Sequence, residues 1–180
     1  MQFFDKGFME IFSSQMFSII GGIIAGTILA VYTDRIILLP GMLILLPGFL
    51  EMRGNISGSL ASRLSSGMFL GVIKPSKMWT KLTKGNLTAS FFLAIFIAFV
   101  LGVIAYVFNM FVLGLAVPEI ILISVTAAIL ANAIEIPITF LFTFYLFRKG
   151  HDPNNVMGPF VTTTGDLTSV VALLIALVLI

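Results

Sequence analysis

An all-α integral membrane protein is what this sequence predicts, and three observations carry the prediction. Charged side chains make up 10% of the 180 residues, against about a quarter in a soluble domain. Hydrophobic residues reach 59% and the mean hydropathy is +1.14. The apolar residues are gathered into runs long enough to cross a bilayer, and the basic residues fall between those runs. One membrane domain accounts for the length and leaves no room for a second, soluble one. A net charge of +2 is too small to call for nucleic acid. With no cysteine, disulfides, thiol catalysis and cysteine metal sites are excluded.

The N-terminal stretch, residues 1–13, is expected to be an interfacial amphipathic helix. Phe4, Phe8, Ile11 and Phe12 fall on one helical face, while Asp5, Lys6 and Glu10 fall elsewhere. Acidic residues interrupt it and no small-residue cleavage site follows, so it does not read as a secretory signal. Residues 14–180 are then predicted to form a five-helix transmembrane domain. The first crossing runs from about Ser14 to Thr33, where Gly21, Gly22 and Gly26 offer close helix contact. The second starts near Ile36, contains Pro40 and Pro47, and passes beyond Leu50 into an unusually polar continuation. The third extends from Leu87 to Leu115 and the fourth from Glu119 to Phe147; both exceed the ~20 residues a span needs, so they must tilt, kink or protrude. The fifth occupies Val156 to Ile180.

Basic residues orient the set. Lys74, Lys77, Lys81 and Lys84 follow the second crossing, and Arg148 and Lys149 follow the fourth. The other two connections hold Arg35 beside Asp34, and Glu119 with no base. The positive-inside rule therefore places the N-terminus in the cytoplasm and the C-terminus outside, in a multi-pass protein of the cytoplasmic membrane.

Chemistry is expected where polarity enters the membrane. Asp166 is the only ionisable residue of the fifth crossing and lies about 15 Å into it, near the middle of a ~30 Å hydrocarbon core. A carboxylate there costs at least a few kcal/mol unless it faces water, a partner or a cation, which makes it a functional residue by default. Gly158, Thr162, Asp166 and Ser169 share its face, with Thr163 beside them. On the second crossing Glu51, Asn55, Gly58, Ser59 and Ser62 recur at helical spacing as one continuous stripe. Such a stripe either faces water or forms a polar seam between helices; lipid would leave it unpaired. Pro47 before Gly54-Asn55 and Pro159 before Gly165-Asp166 hint at a pair of interrupted helices, an arrangement that marks transport sites. Pro159 is expected either in the first helical turn or leaving a carbonyl free to point at an ion. Glu135, followed by Pro137, is a second intramembrane acid. Its depth matches Glu51 and Arg53, so Arg53 is expected in a structural ion pair with Glu135 or with Glu51. His151 reads as a solvated loop residue, and Asp152-Pro153-Asn154 as the turn and cap entering the last helix.

One such carboxylate cannot balance a divalent cation, and five helices barely enclose an aqueous path. A twofold homodimer remedies both, since it brings two copies of Asp166 together and doubles the lining helices. A lining of oxygen ligands alone fits Mg²⁺ or Ca²⁺ rather than Zn²⁺ or Cu⁺. Mg²⁺ keeps its waters and is held by few carboxylates, as so sparse a site allows.

The segment Pro47-Gly-Phe-Leu-Glu-Met-Arg-Gly-Asn55, followed by Leu60-Ala-Ser-Arg-Leu64, resembles the signature of the MgtE-type magnesium transporters, in the form found among their animal solute-carrier relatives. Asp152-Pro-Asn-Asn-Val156 and Gly158-Pro-Phe-Val-Thr-Thr-Thr-Gly-Asp166 resemble that family's fifth-helix motif. The resemblance implies a homodimer with the ion path between the second and fifth helices. It implies that Asp166 binds a hydrated Mg²⁺, and that backbone carbonyls at Thr162 and Gly158 face the ion. The side chains at 162 and 158 depart from the bacterial pattern. The cytoplasmic regulatory domains of bacterial members have no counterpart in this sequence, so Mg²⁺-sensed gating through them is not expected, which leaves room for a separate regulatory protein as a partner.

The lead expectation is a Mg²⁺-preferring channel or transporter, with Asp166, Thr162 and Gly158 at the ion and Glu51, Asn55, Ser59, Thr163 and Ser169 lining the path. A second is a Na⁺- or H⁺-coupled exchanger using Asp166, Glu51 and Glu135. A third is a non-transporting membrane assembly subunit. An enzyme is not expected: no acidic pair at i, i+4 lies inside a crossing, and the one histidine sits in a loop.

Overall fold

The computed structural model describes residues 5–180, and among these every regular element is helical. Residues 1–4, including the Phe4 of the expected amphipathic helix, lie outside the described residues. Helix α1 covers Lys6–Val31 without a break between the amphipathic stretch and the first crossing. Asp5 starts it as a side-chain cap, accepting from the Phe8 amide at 2.8 Å. A short helix α2, Thr33–Ile37, leads to Gly41, whose φ of 87° turns the chain into helix α3, Met42–Phe69. The helix in the region of the expected second crossing therefore starts later than predicted, after Pro40, and it continues through Pro47 without a break.

Helix α4, Lys81–Phe108, opens on a reciprocal cap between Thr80 and Thr83 and ends in a π-helical turn, Asn109–Leu113. Helix α5, Glu119–Arg148, and helix α6, Pro153–Leu179, complete the chain. The helices α1, α4 with its π turn, α5 and α6 are each long and apolar enough to cross a membrane. The chain is a multi-pass membrane protein, and its outward faces agree: Ile20 and Ile23 of α1 and Phe92 and Phe96 of α4 are exposed, as side chains in lipid should be.

Small residues let these helices approach. Ser14, Gly21 and Ala25 form the buried stripe of α1, and a Cβ added to Gly21 would lie 1.9 Å from Thr163 Cγ2 of α6. On α4 the stripe is Ser90, Ala94, Ala98, Gly102 and Ala105. There a Cβ on Gly102 would meet the Ile121 backbone at 2.9 Å, and Ser124 of α5 donates to the Ala98 carbonyl at 2.7 Å. The two ends of the bundle are tied by polar contacts. At one end the buried Asn109 donates to the Pro40 carbonyl at 2.7 Å, seated against the left-handed Gly41. At the other, Lys6 donates to the Gly150 carbonyl at 2.5 Å, and Arg148 donates to the carbonyl of Pro75 in the lysine-bearing loop.

The apolar core comes in separate blocks. One holds Met42, Leu45 and Phe49 of α3 with Ala127, Ala131 and Leu173. Another holds Leu60, Leu64 and Met68 with Ile136, Phe140 and Phe144. A layer of buried polar side chains separates them: Arg53 and Ser57 of α3, Asn132, Glu135 and Thr139 of α5, Thr163 and Ser169 of α6.

Gly21→Ala is expected to loosen the α1–α6 contact and destabilise the protein by about 1–3 kcal/mol. Gly22→Ala, where an added Cβ meets nothing within 4 Å, should stay within ~0.5 kcal/mol of the parent. Thermal melting of the two variants in detergent measures the difference.

Candidate cation site on helices α3 and α6

Helix α3 has two unlike faces. Met52, Arg53, Ile56, Ser57 and Leu60 are buried, while Glu51, Asn55, Ser59 and Ser62 are exposed. The exposed stripe is internally organised: Asn55 Nδ2 donates to Glu51 Oε1 at 3.1 Å, and Arg63 Nη2 donates to Ser59 Oγ at 3.1 Å. On α6, Gly158 and Thr162 are exposed and Asp166 is half-buried, each four residues from the next.

Glycines bring the two stripes together. A Cβ on Gly54 would lie 3.8 Å from Thr162 Oγ1, and one on Gly58 would lie 3.9 Å from Val161 Cγ2. The result is one polar strip on the protomer's surface, with Glu51 within electrostatic reach of Asp166. Thr162 Oγ1 donates to the Gly158 carbonyl at 3.0 Å, so that carbonyl already has a partner and the threonine oxygen forms the outer surface.

Thr163 and Ser169 do not join the strip. At 3.6 residues per turn, Thr163 sits about 100° around the helix from Thr162, where it packs on Gly21 of α1 and donates to the Pro159 carbonyl at 2.9 Å. Ser169 is about 60° off the Asp166 direction; it is fully buried and its hydroxyl has no partner. An arc of about 60° to either side of Asp166 contains both in the sequence, and only the neighbouring helices set them apart from the strip.

Behind the strip lies a buried ionic centre. Arg53 Nη2 stands 3.7 Å from Glu135 Oε2, with both side chains at 0% exposure. Glu51 instead keeps to Asn55. Arg53 Nη2 also donates to Thr168 Oγ1 at 3.1 Å. Glu135 Oε1 lies 2.8 Å from the Thr164 hydroxyl, which is also 2.9 Å from the Phe160 carbonyl, so one proton serves two acceptors. Arg53 Nε and Nη1 and Glu135 Oε2 make no hydrogen bond. Thr164 and Thr168 escaped the sequence reading. Their position at i, i+4 beside Asp166 was the available signal.

Two expectations are corrected at the N-terminal end of α6. The helix begins at Pro153, so Pro153 and not Pro159 is its first-turn proline. The carbonyl that Pro159 deprives of a helical donor, that of Asn155, accepts from Ser14 Oγ of α1 at 3.1 Å rather than facing an ion. His151 is not simply solvated: its Nδ1 lies 2.9 Å from Glu10 Oε1, and Glu10 also accepts from Asn155 Nδ2 at 3.0 Å. The same glutamate thus anchors the start of α1 to the turn that caps α6. Asp152 is that cap, accepting from the Asn154 amide at 2.9 Å.

Among the described residues no three His, Cys, Asp or Glu side chains gather into a metal cluster. The strip is a place where a cation could pass or pause. Helices able to cross a membrane and a carboxylate-bearing polar strip are features that a membrane transport protein would carry. Residues 46–176 match the family model MgtE, described as a divalent cation transporter, over more than half of the chain. The chain belongs to the MgtE family of divalent cation transporters, a transporter family rather than an enzyme family. The matched span runs from the start of α3 nearly to the end of α6 and includes both stripes.

Thr164→Val keeps the shape of the side chain and removes the hydroxyl at Glu135 Oε1. It is expected to destabilise the protein by about 1–3 kcal/mol, the usual cost of stranding a buried polar atom, as read by thermal melting in detergent.

Proposed function

We propose that this chain forms a homodimer in the cytoplasmic membrane and conducts Mg²⁺ along the polar strip at the shared interface, with an Asp166 from each protomer holding one hydrated cation. The observation that carries this reading is the strip itself. Glu51, Asn55, Ser59 and Thr162 are exposed and Asp166 is half-exposed on a protomer whose remaining outward surface is rich in bare Phe, Ile and Leu. Lipid cannot satisfy such groups. A second copy of the same strip, related by a twofold axis along the membrane normal, would cover them and leave a wet passage between.

In this reading α3 is the fifth crossing. Its 28 residues measure about 42 Å, enough to span, and its charges face either the strip or Glu135 rather than lipid. The end of the bundle with Lys74, Lys77, Lys81, Lys84, Arg148 and Lys149 is cytoplasmic. Helix α1, at 26 residues, is about 39 Å long. Its first turns, with Phe8, Ile11 and Phe12 exposed, therefore lie in the interface as the amphipathic part of residues 1–13.

The cation would meet oxygen alone: the Asp166 carboxylates, the Thr162 hydroxyls and, toward the cytoplasm, Asn55 and Glu51. Two carboxylates balance a doubly charged ion, and the few additional ligands leave most of its water in place. That suits Mg²⁺, which dehydrates reluctantly. The exchanger reading called on Glu135 as well, but that carboxylate is fully buried against Arg53, away from the strip. A path through the strip alone favours flux driven by membrane potential.

Asp166→Asn and Asp166→Ala should each lower Mg²⁺ uptake into proteoliposomes by at least about tenfold, a loss of about 1.4 kcal/mol or more, while the dimer remains folded. Uptake at the parent rate would remove Asp166 from the path. Uptake should proceed with a membrane potential alone; a requirement for an opposing Na⁺ or pH gradient would favour the exchanger. The chain has no cysteine, so Thr162→Cys gives a single reporter. Mild oxidation in the membrane is expected to link it into dimers, whereas Phe92→Cys on the outer face of α4 should remain monomeric on denaturing gels.

A further inference from the structure

A fully buried arginine whose partners leave most of its donors idle calls for an explanation beyond stability. Arg53 uses one nitrogen, Nη2, for Thr168 at 3.1 Å and for Glu135 at 3.7 Å, while Nε and Nη1 have no partner. Burying an ion pair gains little over packing apolar side chains of the same volume, so stability is a weak reason to keep one. Position supplies a better reason. Arg53 comes from the face of α3 opposite the polar stripe and reaches α6 at Gly165, where an added Cβ would lie 4.0 Å from Nη2. Gly165 is the residue next to Asp166, and the Arg53 charge acts on both Glu135 and Asp166.

We propose that Arg53 is a built-in counter-cation that sets how tightly the strip holds its ion, with Glu135 determining how much of that positive charge Asp166 feels. This rests on Asp166 being the cation-binding carboxylate. Two Asp166 and two Glu51 side chains facing a divalent ion would carry more negative charge than the ion balances, and an ion held so strongly would leave slowly. A fixed positive charge behind each Asp166 weakens the hold. Glu135 offsets part of that charge across a 3.7 Å separation that closes no hydrogen bond with Arg53. Arg53 is a positioning residue for charge and does not itself touch the ion.

The test is Mg²⁺ titration calorimetry on the purified protein, corrected for the folded fraction by size exclusion. Arg53→Gln removes the positive charge and should tighten binding by about tenfold, whereas Glu135→Gln uncovers it and should weaken binding by about tenfold. Joining both substitutions leaves no net change in charge and should bring the Kd back toward that of the parent. Arg53→Lys, which keeps the charge, should stay on the parent side of Arg53→Gln. If Arg53→Gln fails to give folded dimer, the neutral Arg53→Met replaces it, and if Glu135→Gln fails, Glu135→Asp does. That change withdraws the carboxylate by one methylene and should weaken binding by a smaller factor. Opposite shifts from the two single substitutions support the proposal. A Kd unmoved by them, alongside lowered melting temperatures, reduces Arg53 to a structural role and overturns it. Asp166→Asn separates the two readings: if it leaves the Kd unchanged, the site itself is misassigned, whereas if it abolishes binding while the Arg53 and Glu135 variants do not shift it, only this inference fails.

Discussion

Inside a bilayer a polar group must be paired, wet or absent, and this structure is organised around that constraint. Two sets of its polar side chains meet that constraint differently. Arg53, Glu135, Thr164 and Thr168 find partners within the protomer, between two apolar blocks of the core. Glu51, Asn55, Ser59, Thr162 and Asp166 do not turn inward and are left on one side of α3 and α6. A chain selected only to fold in lipid would have little use for the second set. The proposed function follows from the need to cover it with something that is neither lipid nor dry protein.

The apolar architecture serves that strip. Small-residue stripes on α1 and α4 let helices close to backbone contact, and this fixes α6 against α1 and α5 against α4. Proline supplies local freedom without breaking the helices. Pro159 interrupts the hydrogen-bond ladder of α6, and Ser14 of α1 takes up the carbonyl it frees. Polar ties at the ends, Asn109 to Pro40 and Arg148 to Pro75, hold connections that would otherwise be free to swing. In the proposed reading, the ion would meet oxygens of α3 and α6 already held in place by this packing.

Much of this was legible in the sequence because composition and periodicity report on one helix at a time. The all-helical class, the basic and non-basic ends, and the stripes on α3 and α6 all follow from spacing along a single helix. So did the Asp152 cap, whose residue type and position are local. What depended on a second helix was harder. Thr163 and Ser169 lie close enough to the Asp166 face to be grouped with it, yet α1 covers the first and the core encloses the second. Arg53 had two acids at similar depth, and only packing brings Glu135 rather than Glu51 to its guanidinium. The Glu10–His151 contact spans almost the whole chain, so the histidine read as solvated. The start of α3 moved because Gly41 turns the chain where hydrophobicity alone showed no break.

The most direct measurement is a structure of the membrane-embedded assembly in saturating Mg²⁺. The account predicts two chains about a twofold axis, with both Asp166 carboxylates converging through water on a single ion between the facing α3–α6 strips. A monomer, or a dimer joined through α1 or α4 with Asp166 turned away from its counterpart, would contradict it.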